Sequence, residues 1–432
     1  MPQENFGNPR LRTAVRVALT GGSVAATFGV AHAQTPPPPT ADTTLSEVVV
    51  TGSRIAVPNE TSISPVTFVP ALEIQEMGAT RIEDVLNQLP QVFADQGSNV
   101  SNGSNGTSTV NLRGLNTKRT LVLVNGDRLG YGDPRTGGAG SDINMIPTEL
   151  VDSIEVETGG AASIYGADAV AGVVNFKIND HFEGVKLVAD AGIYNHSNGN
   201  ASNVQSDFNY FNTGTGNDFT PAPSTYTGGA QKQLTFIAGL NSADGNGNAT
   251  FYATYRNIAP VTQAQYSESA CTFGSGYIGY STPGQRNGNL GCSGSSTANP
   301  GRFYKLTGGT TTSDATLGPG GTLVPFTDGA RFNYGPLNYY QRPDEQYTAG
   351  TFLHYEFNEH AIVYANTMFM DDRTIAQIAP SGAFFGNPYP VNCANPFLNA
   401  TQLTAWCGGS TAGFTYSGTT PGNNLYIGRR NI

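Results

Sequence analysis

Across residues 185–194 the chain alternates strictly. Val185, Leu187, Ala189, Ala191 and Ile193 fall on one side, with Lys186 and Asp190 on the other. The period recurs twice. Leu234, Phe236, Ala238 and Leu240 oppose Gln233 and Thr235, and Ala249, Phe251, Ala253 and Tyr255 oppose Asn248, Thr250 and Arg256. A side-chain period of two belongs to strands with unlike faces. Runs of about ten such residues suit a membrane-crossing β-strand, and a soluble β-sandwich shares the same pattern. No segment after the N-terminal region approaches ~18 consecutive apolar residues, which excludes helical spans there. If this chain crosses a membrane, it does so as a closed barrel.

Connection lengths separate the two options. Asp244-Gly-Asn-Gly247 and Asn358-Glu-His360 are tight turns, the second joining strands near 347–357 and 361–370. The connections at about 195–230 and 258–345 are long and rich in Gly, Asn, Ser and Thr. Strict alternation of short and long connections is the asymmetry of an outer-membrane barrel. Composition agrees: charged residues are 12% of the chain, beside 54 Gly, 20 Tyr and 22 Phe. The net charge of −10 argues against a nucleic-acid partner, because phosphate binding needs a basic patch.

The N-terminus reads as a signal peptide over residues 1–33. Arg10, Arg12 and Arg16 form the basic region, residues 17–30 the apolar one, and Ala31-His32-Ala33 the cleavage pattern before Gln34. Residues 34–60 read as a flexible segment, with Pro36-Pro-Pro-Pro39 as a polyproline spacer. Within it, Leu45-Ser-Glu-Val-Val-Val-Thr-Gly52 is a β-branched run between Pro-rich and polar stretches. A strand-former near a free terminus is suited to adding to another protein's sheet edge.

Residues 61–180 read as a compact α/β module, large enough to bury a core. Strands are expected at 65–69, 110–113, 120–124, 153–157 and 173–178. Asn125-Gly126 is a turn signal, Thr80 is placed to cap a helix that Pro90 stops, and a short helix is expected near 147–151. Residues 181–432 read as barrel strands with long loops. Cys271, Cys292, Cys393 and Cys407 all lie there. Four cysteines in an exported chain allow three disulfide connectivities, of which the sequence-local Cys271–Cys292 and Cys393–Cys407 is the simplest, with four buried free thiols as the other option. No His or Cys-x-x-Cys accompanies them, which argues against a metal.

An enzyme reading has little support. The histidines stand scattered at 32, 181, 196, 354 and 360, and no Gly-x-Ser-x-Gly elbow, His-Glu-x-x-His or Walker loop is present. No cofactor is implied. Asp371-Asp372 reads as a solvated carboxylate pair at a strand end, with cation binding as the lesser option.

Three blocks resemble the plug domain of TonB-dependent outer-membrane receptors. They are Asn111-Leu-Arg-Gly-Leu115, Leu121-Val-Leu-Val-Asn-Gly-Asp-Arg128, and the run from Ile154-Glu-Val-Glu-Thr-Gly-Gly through Ala-Gly-Val-Val-Asn-Phe-Lys-Ile178. Leu45–Gly52 then resembles the TonB box, and the order of parts matches the family from the signal peptide onward. The resemblance implies an α/β plug domain followed by antiparallel transmembrane β-barrel strands, here an incomplete barrel. About 250 residues follow the plug, room for about six to eight strands, where the family closes about 22. The chain also lacks the family's terminal aromatic strand, so it reads as an N-terminal fragment of a longer receptor.

That resemblance further implies energy-coupled uptake of a siderophore, cobalamin or oligosaccharide. TonB, with its inner-membrane energising complex, would pair with Leu45, Ser46, Glu47, Val48, Val49, Val50, Thr51 and Gly52. Outer-membrane lipid would surround the strands, with the plug facing the periplasm of a Gram-negative cell and the long loops outside. Ligand contacts are expected from the loops at 98–107 and 131–135, with Asn102, Asn105, Tyr131, Asp133 and Arg135 as candidates. Arg113, Glu155 and Glu157 are expected to form structural ion pairs. Gly114, Tyr165, Gly166 and Gly172 are expected to shape the plug, the glycines as turn or close-packing positions. The alternative from another class is a secreted or surface β-rich carbohydrate-binding adhesin, which explains the aromatics but not the α/β module.

Overall fold

The computed structural model describes residues 66–133, 140–199, 208, 219–274, 291–307, 310–386, 388–409 and 423–432. The signal-peptide and TonB-box readings, and Arg135, lie outside the described residues.

The first module begins with β1 (Val66–Pro70) and two short helices, α1 (Ala71–Glu76) and α2 (Ile82–Leu86). It continues through β2 (Val92–Phe93), β3 (Asn111–Leu112), β4 (Thr120–Val124), β5 (Asp127–Arg128), β6 (Val151–Glu157), α3 (Ala162–Tyr165) and β7 (Gly172–Ile178). A five-stranded sheet forms in the order β1-β6-β7-β4-β5, with only β4 and β7 parallel. Alternation in β4 divides its residues between two cores. Val122 and Val124 join Ile154, Val156, Val174 and Phe176 beneath Ile74 of α1 and Ile82, Val85 and Leu86 of α2. Leu121, Leu123 and Val173 pack on the other side with Ala161, Ala169 and Tyr165.

Asn125 (φ 49°) and Gly126 (φ 88°) make the β4–β5 turn, both in the left-handed region that such a two-residue turn requires. Gly172 has φ +132°, and a Cβ there would lie 2.2 Å from the Glu157 carbonyl oxygen, so β7 can start beside β6 only with glycine. The expected helix near 147–151 is a single 3-10 turn, Thr148–Leu150. Thr80 does not cap α2. Arg81 holds the N-cap position with no side-chain bond, and the Thr80 hydroxyl donates instead to Gln231 Oε1 at 2.9 Å. A partner on another element outcompetes the local backbone. α2 ends at Leu86, before Pro90 is reached.

The second part opens with β8 (Gly184–Ser197), β9 (Thr225–Asn241) and β10 (Gly247–Ile258). Short strands follow: β11 (Val261–Thr262), β12 (Thr272–Gly274), β13 (Gly291–Ser293), β14 (Arg302–Thr307), β15 (Thr310–Leu317), β16 (Leu323–Pro325) and β17 (Tyr339–Gln341). Then come β18 (Asp344–Asn358), β19 (Ala361–Thr374), β20 (Gly382–Ala383), α4 (Ala400–Cys407) and β21 (Asn423–Arg430). The long strands form an antiparallel wall in the order β19-β18-β10-β9-β8, open among the described residues, with β8 and β19 at its edges. β9 runs 17 residues and β18 runs 15, longer than the expected ten, so the long connections shrink to 198–224 and 259–343.

Those connections carry structure of their own. β11 pairs with β17 and β12 with β13, and β14, β15 and β16 join β20 and β21, which follow β19, in a third five-stranded sheet ordered β16-β15-β14-β21-β20. Cys271 and Cys292 are joined within the 259–343 connection (S–S 2.04 Å), and Cys393 joins Cys407 at the end of α4 (S–S 1.97 Å). At the opposite end, Asp244 ties the β9–β10 turn by accepting from Ser242 Oγ (2.5 Å), the Asn246 amide (3.1 Å) and Tyr355 Oη (2.6 Å). The Ser242 and Tyr355 hydroxyls hold its carboxyl down to about 2.

Burial along the wall is inverted relative to a soluble sheet. Val185 is 72% exposed, Leu187 67% and Leu240 68%, while Thr235 and Thr250 are 1% and 0% exposed. The apolar face looks outward and the polar face is covered by the plug. Ile237, Tyr252 and Phe352 of the wall join the plug's own apolar core. A water-soluble sandwich would bury the opposite face. No helix among the described residues is long and apolar enough to cross a membrane.

Candidate functional site at the plug–wall junction

α2 and the loops at 97–108 and 140–145 lie at the end of the wall where its long connections emerge. Glu83 organises this end. Buried on α2, its carboxylate accepts the Ser98 amide at 3.0 Å and the Ser108 hydroxyl, holding the 97–108 loop to the helix. Asp142 does the same for the second loop, its Oδ1 accepting the Ser108 and Asn144 amides at 3.0 Å each. Burial pushes the Asp142 carboxyl above the ordinary carboxylate range, with the two amides working against that.

Charge fixes the plug to the wall. Asp344, at the start of β18, receives Arg256 of β10 through Nε and Nη2, both 2.7 Å from Oδ2. Arg81 of the plug lies 3.8 Å from the same oxygen, and all three groups are nearly buried. Arg256 Nη1 donates to the Thr80 carbonyl at 3.1 Å. Arg342 donates from Nη2 to the Gly97 carbonyl (2.7 Å) and from its amide to the Ser98 carbonyl (2.9 Å), while Gln346 Nε2 reaches the Asn144 carbonyl (3.2 Å). Asp372 faces this cluster, with Arg81, Glu83, Arg342 and Asp344 around a cavity of about 20 Å³. Asp371 points the other way and accepts Arg373 Nη2 at 2.8 Å. The expected solvated pair is therefore split: adjacent strand residues face opposite sides, and one carboxylate is taken into the junction.

A second chain of polar contacts runs outward from Thr80. Its hydroxyl donates to Gln231 Oε1, Gln231 Nε2 donates to Tyr194 Oη (2.7 Å), Tyr194 Oη donates to Gln341 Oε1 (3.1 Å), and Gln341 Nε2 donates to the Ala259 carbonyl (3.0 Å). Tyr194 and Gln341 line a cleft of about 450 Å³ between plug and wall. Asp84 of α2 also faces it, and burial raises its carboxyl above the ordinary range, with Arg81 as the main opposing influence.

Asn102 is exposed at the tip of the 97–108 loop, and Tyr131 is exposed in the segment that follows β5. Asn105 is half-buried, its Oδ1 accepting the Thr107 amide (3.1 Å) and hydroxyl (2.7 Å), and Asp133 is buried. Arg113 is exposed and has no carboxylate partner among the described residues, and its Nη2 donates to the Val170 carbonyl at 3.1 Å. The chain leaves β3 in left-handed turns at Arg113 (φ 55°) and Gly114 (φ 67°), which carry the guanidinium to the surface. Glu155 and Glu157 are buried in β6, and Glu155 Oε2 accepts Asn175 Nδ2 at 3.5 Å. Gly166 (φ 88°) closes α3, and the Tyr165 carbonyl accepts Arg128 Nη2. The sequence reading missed Arg81, Glu83, Arg342 and Asp344. Glu83 and Asp84 at the start of an expected helix were the only available signal, and they equally fit a helix N-terminus.

Residues 58–173 match the family model "TonB-dependent Receptor Plug Domain". Among solved structures, the chain is similar to a point mutant of the ferric enterobactin receptor of Pseudomonas aeruginosa in complex with enterobactin. Identity is 15% and the TM-score 0.40, covering 73% of this chain and 34% of that one. It is also similar to the siderophore receptor PirA of Acinetobacter baumannii (15%, TM-score 0.39, 72% and 32% covered) and to the copper transporter OprC (13%, 0.35, 73% and 31%). The chain thus spans about a third of the length of these structures. Over residues 58–173 it is a TonB-dependent receptor plug domain, followed by antiparallel β-sheets.

Proposed function

We propose that this protein takes up a scarce nutrient across an outer membrane, with the plug as a ligand-gated stopper and TonB as the source of force. The observation that carries the reading is the seating of the plug on the polar face of a wall whose apolar face is exposed. In this arrangement lipid covers Val185, Leu187 and Leu240, the short turns face the periplasm, and the long connections face outward. A ligand docks against the plug loops and the long connections. Leu45–Gly52 then becomes available to TonB, which adds as a strand to Glu47–Thr51 and pulls. Backbone hydrogen bonds carry that contact, so its strength rests on the extended conformation of Val48-Val49-Val50 more than on any one side chain. Binding and gating are the whole of the chemistry, and no catalytic step is required.

Deleting residues 45–52 tests this. Loss of energised uptake with ligand binding intact is the expected result, and unaltered uptake rejects the reading.

A further inference from the structure

The cleft between plug and wall has a lining that selects among ligand classes. Tyr266 is the centre of an aromatic array, with ring centroids 4.8 Å from Tyr340, 5.0 Å from His196 and 5.7 Å from Tyr226. Tyr340 and Tyr194 are 46% and 41% exposed, so ring surface is presented rather than packed away. Tyr194 is held in place by Gln231 and Gln341. Around the rings stand Asp84, Asn99 and Glu268. The buried Nε2 of His196 has no hydrogen-bond partner.

The charge balance of the described lining is unfavourable to anions. Among the described residues lining the cleft, Arg81 is the only Lys or Arg, and it is nearly buried and committed to Asp344. Two carboxylates share the cleft with it. A ferric catecholate or a phosphate would meet repulsion and no available cation. A neutral ring bearing vicinal hydroxyls fits instead. Its C–H face packs on exposed tyrosine, and its hydroxyls donate to carboxylate and amide oxygens. A space of about 450 Å³ holds more than one such ring.

We infer that the cleft formed by Tyr194, Tyr266, Tyr340, His196, Asp84 and Asn99 is a binding site for a neutral oligosaccharide. The inference rests on the proposed uptake function, since it names the substrate class of that same outer face.

The test uses protein purified from outer membranes, with neutral gluco-, xylo- and manno-hexaoses, ferric enterobactin and tetraethylammonium as probes. At least one hexaose is expected to bind. Tyr340→Ala, at an exposed position, should weaken it roughly tenfold, and Tyr340→Phe should restore it. An unchanged thermal transition shows that the variants are folded. The inference is overturned if none of the hexaoses binds, if ferric enterobactin or tetraethylammonium binds in their place, or if hexaose binding ignores both Tyr340→Ala and Tyr266→Ala. Hexaose binding that needs Tyr340, with uptake indifferent to deletion of residues 45–52, keeps the site and rejects the transport reading. Uptake that needs residues 45–52, for a ligand indifferent to the tyrosines, does the reverse.

Discussion

At the scale of single residues, Asp344 is the hub on which the plug's seating depends. It is one buried carboxylate facing two buried guanidiniums. Removing it by Asp344→Leu leaves Arg81 and Arg256 without their counter-charge. The expected loss is about 3–5 kcal/mol, read as a lowered plug transition in calorimetry. The triple variant Asp344→Leu, Arg81→Met and Arg256→Met should recover much of that loss, because it removes both stranded guanidiniums together with their carboxylate. Asp142 gives a prediction with the opposite sign. Its carboxyl is raised by burial, so the stability linked to its protonation is full below the unfolded-state value and is lost as pH rises through the folded-state value. Asp142→Asn keeps an Oδ1 for both loop amides and needs no proton. It should therefore stabilise the plug at neutral pH, with the advantage vanishing as pH falls through the carboxylate range. Chemical denaturation at a series of pH values reads this directly. None of this hub was legible in the chain, because Arg81, Arg256, Asp344 and Asp372 stand at separations with no common period. The pair at 371 and 372 attracts notice only because it is adjacent, and adjacency in a strand is what separates it.

At the scale of elements, the period-two alternation was legible and its meaning was not. The same residues fit a lipid-facing wall or a soluble sandwich, and only the burial of Thr235 and Thr250 beside exposed Leu240 chooses between them. Strand ends were blurred for a related reason. The polar residues at 195–197 and 225–230 read as loop, yet β8 and β9 continue through them by backbone pairing. The glycine that opens β7 was expected at a turn or a close-packing position, and the second is what the structure has. Gly172→Ala should destabilise the plug by at least about 2 kcal/mol in denaturant unfolding, since the new Cβ meets the Glu157 carbonyl and φ is +132°. Leu187→Arg, on the outward face of β8 and a few residues from its first end, should cost about 1–2 kcal/mol, between the interface and midplane values for a lipid-facing arginine, measured by urea unfolding in lipid. Thr80 shows the limit of local reading: a capping residue by type is drawn to Gln231, a partner 151 positions away.

At the scale of the whole molecule, a plug-domain match over residues 58–173 stands beside a wall whose faces are inverted relative to a soluble sheet. In the proposed arrangement the plug sits on the polar side of strands that lipid covers on the other. The direct measurement is a spin-label scan of the purified protein in bilayers, comparing oxygen accessibility with that of a water-soluble nickel chelate. Labels at Val185, Leu187, Phe236, Leu240 and Phe251 are predicted to be oxygen-accessible and shielded from nickel, and labels at Gln233, Thr235, Asn248 and Thr250 to be shielded from both. Nickel access at the first set, or loss of the two-residue period between the sets, would contradict the account.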